Sequence, residues 1–168
     1  MKLSCVMNTP SISLRILALV FGFALSLPVC AQTTPAAEQP DFGNHSSETL
    51  TTKAWEALTA KNYAMVDAYT AHCIELYSAQ AAEMQAGLTD FAPTATASTL
   101  WALNDVGTCY YIRGQAFEAQ GKNKEALAAY QALVKDFGFA QTWDTKGWFW
   151  QPAGAAKQRV QVLEFETL

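Results

Sequence analysis

The 168-residue chain is poor in the residues that most chemistry uses. It has two histidines, His45 and His72, and neither stands at a spacing that brings a metal ligand or nucleophile beside it. No GxSxG or HExxH run occurs and no glycine-rich phosphate loop, so triad, zincin and nucleotide-phosphate chemistry have no sequence support. His72 and Cys73 are adjacent on a predicted helix, where successive side chains diverge by about 100 degrees, and a dyad between them is disfavoured. The four cysteines form no CxxC and no cysteine–histidine metal spacing, which removes zinc and dithiol motifs. No metal or other cofactor is expected. Basic residues are few, 11 against 15 acidic, and the acids are scattered rather than in runs, which argues against a nucleic-acid partner.

Long apolar runs are also missing. The longest, ILALVFGFALSL (residues 16–27), has 12 residues, the length of a signal-peptide core and well short of the roughly 20 that a membrane span needs. Lys2 and Arg15 precede it, and it ends at VCAQ, where Val29 and Ala31 occupy the small-residue positions of a signal peptidase site. Residues 1–31 are therefore expected to be a signal peptide cleaved after Ala31, giving a periplasmic or secreted protein. The rival reading, a lipidated Cys30 that would tie the chain to a membrane, lacks the small residue such signals place before the cysteine. Two of the 11 basic residues leave with the leader, so nine remain against 15 acidic, a net charge of −6. Cys5 and Cys30 leave as well. The remaining pair, Cys73 and Cys109, is either a disulfide across 36 residues, favoured by an oxidising compartment, or two inert buried thiols.

The remaining 137 residues suffice for one domain. Residues 32–47, polar and proline-bearing, are expected to be a flexible linker, with the folded domain at 48–168. Ser46 or Ser47 can cap a first helix over ETLTTKAWEALTA. A second follows from Tyr63 to Ala86, where Val66, Tyr69, Cys73, Leu76 or Tyr77, Gln80 and Met84 recur at helical spacing. LTDFAPTATAS reads as a loop. TLWALNDVGTCYYIRGQAFEAQ and NKEALAAYQALVKDF give a third and a fourth helix, and Pro152 precedes a last one near Ala153–Phe165. No alternating strand pattern stands out, and the expectation is an all-α protein of about five helices.

Within this pattern, YYIRGQAFEAQGKNKEALAAYQALVKDFG (residues 110–138) resembles a tetratricopeptide repeat. Gly114, Ala116, Phe117, Gly121, Ala126 and Tyr130 stand on its small, turn and aromatic positions, and Tyr110 where a bulky aromatic begins the first helix. Arg113 departs from it at an aliphatic position, as a snorkelling arginine or an ion-pair site, and Gly138 stands where proline is usual. A weaker likeness covers AWEALTAKNYAMVDAYTAHCIE, its turn 60 residues from the next instead of 34. The resemblance, strongest over 107–138, implies antiparallel helix hairpins in a short right-handed superhelical stack closed by a C-terminal cap. It also implies a groove lined by Thr108, Tyr111, Gln115 and Glu118, with Trp55 from the weaker repeat, suited to a peptide or envelope-protein partner.

WDTKGWFWQP, within the cap region 139–168, concentrates Trp143, Trp148 and Trp150. It either plugs the end of the stack or presents a platform, and the two readings coexist because neighbours in WFW cannot all point one way. The tail is similar to those of small exported repeat proteins of bacteria. No compact acidic pair supports glycoside hydrolysis, so the function expected is binding rather than catalysis. The alternative to a protein partner is a cell-wall glycan, β-glucan-like, or a hydrolase-associated role resting on the tryptophans. Mass spectrometry of the exported chain should find Gln32 as the first residue; a lipid-bearing Cys30 at the terminus would refute that.

Overall fold

The computed structural model describes residues 39–166. The signal-peptide cleavage position after Ala31 and the lipid-anchor candidate Cys30 lie outside the described residues. Five long helices carry the fold: α1 (Ser47–Thr59), α2 (Tyr63–Ala86), α4 (Trp101–Ala119), α5 (Asn123–Asp136) and α6 (Pro152–Glu166), with a single turn, α3 (Thr94–Ala97), before α4. Among the described residues no helix is long and apolar enough to cross a membrane.

Local chemistry sets the helix ends. Ser46 caps α1 by accepting from Thr49 N at 3.2 Å, satisfying one orphan donor of the first turn. The turn after α1 and the turn after α4 close in the same way. Lys61 (φ 57) and Gly121 (φ 70) are left-handed, Asn62 N bonds back to Ala57 O, and Lys122 N bonds back to Phe117 O, each at 2.9 Å. With Lys61 N bonded to Leu58 O at 3.0 Å and Gly121 N to Glu118 O at 2.9 Å, each turn has the double hydrogen bond by which a left-handed residue ends a helix and sends the chain back along it.

Helix α4 is the hub, packed against α1, α2, α5 and α6. Its Leu103, Val106 and Ile112 are fully buried, as are Leu50 of α1, Val66 of α2, Leu133 of α5 and Leu163 of α6. The α4–α5 pair depends on one close approach. A Cβ on Gly114 would stand 2.3 Å from the Tyr130 ring, which is itself fully buried and donates from its hydroxyl to Glu118 Oε1 at 2.6 Å. Arg113, at the departure from the aliphatic pattern, makes an ion pair with Asp67 of α2 at 2.8 Å and lies over the Phe117 ring. On α2 the stripe turns by part of a step: Tyr77 faces inward against Trp101, leaving Leu76 48% exposed.

Two expectations are corrected. The tryptophan segment forms a β-hairpin, with β1 (Thr142–Asp144) antiparallel to β2 (Trp148–Trp150) and Trp143 opposite Phe149. Its strands are three residues long, too short to show alternation in the sequence, and the Asp144–Gly147 turn closes it, with Gly147 N bonded to Asp144 O at 2.9 Å. The second correction concerns the linker. In its described part, residues 41–46 are folded against α1 and α2. Asp41 pairs with Lys53 at 3.0 Å, Phe42 stacks on His72 at 4.2 Å between ring centres, and Tyr77 donates to the His45 carbonyl at 2.9 Å. His45 Nδ1 and His72 Nε2 stand 2.9 Å apart, one donating and the other accepting. A separation of 27 residues had hidden that pairing.

Gly114→Ala tests the close approach. Alanine favours a helix by about 1 kcal/mol over glycine, but the clash with Tyr130 should outweigh it and leave the protein about 1–3 kcal/mol less stable in urea unfolding. Gly154→Ala, whose new Cβ would meet only Gln151 Cβ at 3.9 Å, should be neutral or stabilising.

Candidate functional site

A cleft of about 650 Å³ opens between the N-terminal halves of α1 and α4 and the hairpin. From α1 come Glu48, Thr52 and Trp55, one helical stripe; from α4, Trp101 and Asp105 at the same spacing, with Asn104 beside them. The hairpin supplies Trp143 and Phe149, which pack edge to face at 5.2 Å on the same side of the two strands. Trp143 is 55% and Trp101 41% exposed, so their indole faces are open to a ligand. Among the described residues no lysine or arginine lines the cleft.

A buried polar latch holds the hairpin in place. Asn104 Nδ2 donates to Ala97 O at 2.8 Å, while its Oδ1 accepts from Gln141 N at 2.8 Å. The Gln141 side chain donates to Ala92 O at 2.9 Å. Thr108 Oγ1 donates to Asn104 O at 2.8 Å, so its 2.6 Å contact with Thr142 Oγ1 is one in which Thr142 donates. These bonds join the loop before α4, the middle of α4 and the base of β1, and with every member satisfied such a network fixes one geometry.

The cleft is acidic and its acids differ. Glu48 is exposed in the first turn of α1. Asp105 is largely buried and accepts a hydrogen bond from Ser47 Oγ. Burial pushes its carboxyl up to about 6; the Ser47 bond opposes this and the Glu48 carboxylate adds to it. The two acids come from positions 57 residues apart, a juxtaposition with no compact motif behind it.

The residues named from the sequence divide between this cleft and its surroundings. Trp55 lines it. Thr108 does not face a groove: it is fully buried beneath the hairpin, and this corrects the expectation. Tyr111 is half-buried, with Trp55 at 6.4 Å, Tyr130 at 5.9 Å and Trp150 at 5.1 Å between ring centres. Gln115 donates to the Tyr111 hydroxyl at 3.4 Å and borders a hollow of about 220 Å³ with Glu118, Tyr130 and Arg159. Glu118 is not a free groove residue, because Arg159 of α6 grips both its oxygens. Burial acts to raise the Glu118 pKa, but the hydrogen bonds from Arg159 and Tyr130 overcome it and hold the carboxyl below its usual range. Trp150 covers Tyr111 as a plug, Trp143 opens to the cleft, and Trp148, 50% exposed, lies over Lys146 at the hairpin end. Cys73 and Cys109 are both buried and free. No group of three or more metal-ligating residues forms among the described residues.

Trp101, Asp105, Glu48, Asn104 and Phe149 were not picked out from the sequence. Trp101 and Asp105 sit at i and i+4 on α4, and Glu48, Thr52 and Trp55 at i, i+4 and i+7 on α1; those paired stripes are the signal that could have found the cleft. Compared with known proteins, the chain matches no family model, no curated protein and no solved structure.

Asp105 makes the stability of the site pH-dependent. Its carboxyl titrates near 6 in the fold against an ordinary value of 3.8, so between those values the folded state binds more protons than the unfolded one. Ionised Asp105 therefore costs stability above pH 6, and the cost disappears as pH falls toward 4. Asp105→Asn, which can still accept from Ser47, should raise unfolding stability at pH 7 by on the order of 1–3 kcal/mol. The same variant should show no gain near pH 4 in matched denaturant titrations.

Proposed function

We propose that this chain is an exported binding protein of the bacterial cell envelope, built on tetratricopeptide-like helix hairpins, that holds an extended peptide segment of a protein partner in the Trp55–Trp101–Trp143 cleft and does no chemistry on it. One observation carries the reading: three of the five tryptophans, with Phe149, meet around one cleft that also offers amide and hydroxyl groups and two carboxylates. The walls come from α1 and α4, the two helices that open the hairpins and that line the partner groove in the family the sequence resembles. The matching left-handed turns at Lys61 and Gly121 support the repeat reading.

The chemistry of the walls narrows the occupant. Indole faces attract cations through their ring charge distribution, and Glu48 and Asp105 add negative charge, with no positive side chain among the described lining residues. A lysine- or arginine-bearing segment satisfies both. Glu118 is taken up by Arg159 and Tyr111 is covered by Trp150, which favours the cleft over these two groove candidates as the place for a partner.

A glycan is the second reading, favoured by Trp101 and Trp143, whose exposed faces beside Asn104, Thr142 and Thr145 suit a sugar ring and its hydroxyls. Hydrolysis would need Glu48 and Asp105 to flank a glycosidic bond, and release of reducing ends from β-glucan measures that directly. In this reading none is released.

Trp143→Ala and Trp101→Ala should each weaken capture of a lysine- and arginine-rich peptide at least about tenfold, the scale of an aromatic anchor at a binding site. Melting of Trp143→Ala should change little, because that side chain is already half in solvent. Phe165→Ala, 79% exposed on α6, is the control. If the tryptophan variants bind the peptide as the parent does, the cleft is not the site. Saturable tryptophan fluorescence changes with neutral β-linked glucan oligosaccharides, and none with peptides, would favour the glycan.

A further inference from the structure

We propose that His45 and His72 are the protein ligands of a binding site for a divalent transition-metal ion of the zinc, nickel and copper group. The site shares no residue with the tryptophan cleft. His45 lies in the segment before α1 and His72 on α2, yet His45 Nδ1 and His72 Nε2 stand 2.9 Å apart, with ring centres at 5.1 Å and ring planes inclined at 65°. Only one proton fits between two such nitrogens. The place it holds also suits a metal: cis ligands about 2.0 Å from a tetragonal ion stand about 2.8 Å apart, and ligands of a tetrahedral zinc about 3.3 Å apart. A small rotation of the exposed His45 ring turns both lone pairs onto one ion, which replaces the shared proton. Imidazole nitrogen selects this class of ion over calcium and magnesium, which take oxygen ligands.

The surroundings hold the pair in place before any ion arrives. The His45 N–H donates to Phe42 O at 3.1 Å, and the His45 carbonyl accepts from the Tyr77 hydroxyl at 2.9 Å. His72 packs against the Phe42 ring, 4.2 Å between centres, and keeps 22% of its side chain open to solvent. On α2, three residues further on, Glu75 Oε2 stands 3.9 Å from His72 Nδ1, the nitrogen turned away from His45. A metal-bound histidine commonly donates its other ring nitrogen to a carboxylate, and the exposed Glu75 closes that distance by a change of rotamer. Asp41 adds a second negative charge to the segment and takes up Lys53 of α1 at 3.0 Å. Two protein ligands make a site of moderate affinity, completed by water at the surface. A bound ion ties residues 41–46 to α2.

The experiment titrates zinc alone into the untagged full chain, stripped with a chelator and with its accessible thiols alkylated so that cysteine takes no metal. Calorimetry should count one zinc per chain, and free zinc at about ten times the dissociation constant should raise the melting midpoint by roughly 5 °C. Calcium should do neither. His45→Ala and His72→Ala should each weaken zinc binding at least about tenfold, and Glu75→Gln should weaken it about tenfold. Nitrogen-15 spectra of the parent chain need no variant: zinc should shift Nδ1 of His45 and Nε2 of His72 together. No zinc bound at millimolar excess, binding that survives both histidine variants, imidazole signals that zinc leaves unmoved, or one zinc shared between two chains would each overturn the site.

Discussion

Helix α4 has almost no free side, and the rest of the structure depends on how closely its neighbours can approach it. Gly107 meets Ala140 and Leu133, and Gly114 meets the Tyr130 ring, at distances where no Cβ would fit. At both positions α4 presents backbone to its partner, so α5 and the chain leading into the hairpin approach as near as van der Waals contact allows. Dispersion falls steeply with distance, which makes such contacts effective only when the small residue and the bulky one face each other. Ala102, Val106, Cys109 and Ile112 are also fully buried on α4, which α1 and α2 pack against as well.

That packing leaves α4 short of polar outlets, and the few it has become structural. Asn104 and Thr108 are buried, and their hydrogen bonds reach the loop before α4 and the base of the hairpin. The hairpin therefore rests on α4 through satisfied polar groups as well as through Trp150 on Tyr111. The same anchoring turns the opposite side of the hairpin outward, and Trp143 and Phe149 become a wall of the cleft. Plug and platform are two faces of one strand pair, separated by the alternation of side chains along a strand.

Electrostatics separates the surroundings of α4 into two. Toward α6, Glu118 is neutralised by Arg159 and held by Tyr130, and its pKa falls. Toward α1, Asp105 and Glu48 have no cation among the cleft residues and the buried one rises. One end is a closed structural pair and the other is an acidic, aromatic cleft.

The sequence by itself determined the five long helices, because their apolar spacing, the Ser46 cap and the left-handed turn at Gly121 are local properties, while the single turn Thr94–Ala97 read as loop; the repeat resemblance put Gly114 and Tyr130 on its small and aromatic positions. It also singled out the tryptophan cluster and the cysteine pair as features to explain. Only the tertiary structure decided which face of α4 remained open, since Thr108 and Glu118 look like surface residues until the hairpin covers one and Arg159 grips the other. The hairpin itself, the folded segment at 41–46, the pairing of His45 with His72 and the meeting of Glu48 with Asp105 were likewise settled in three dimensions. Short strands carry too little periodicity to read, and contacts between residues 27 or 57 apart depend on how the chain returns upon itself, which no local pattern encodes.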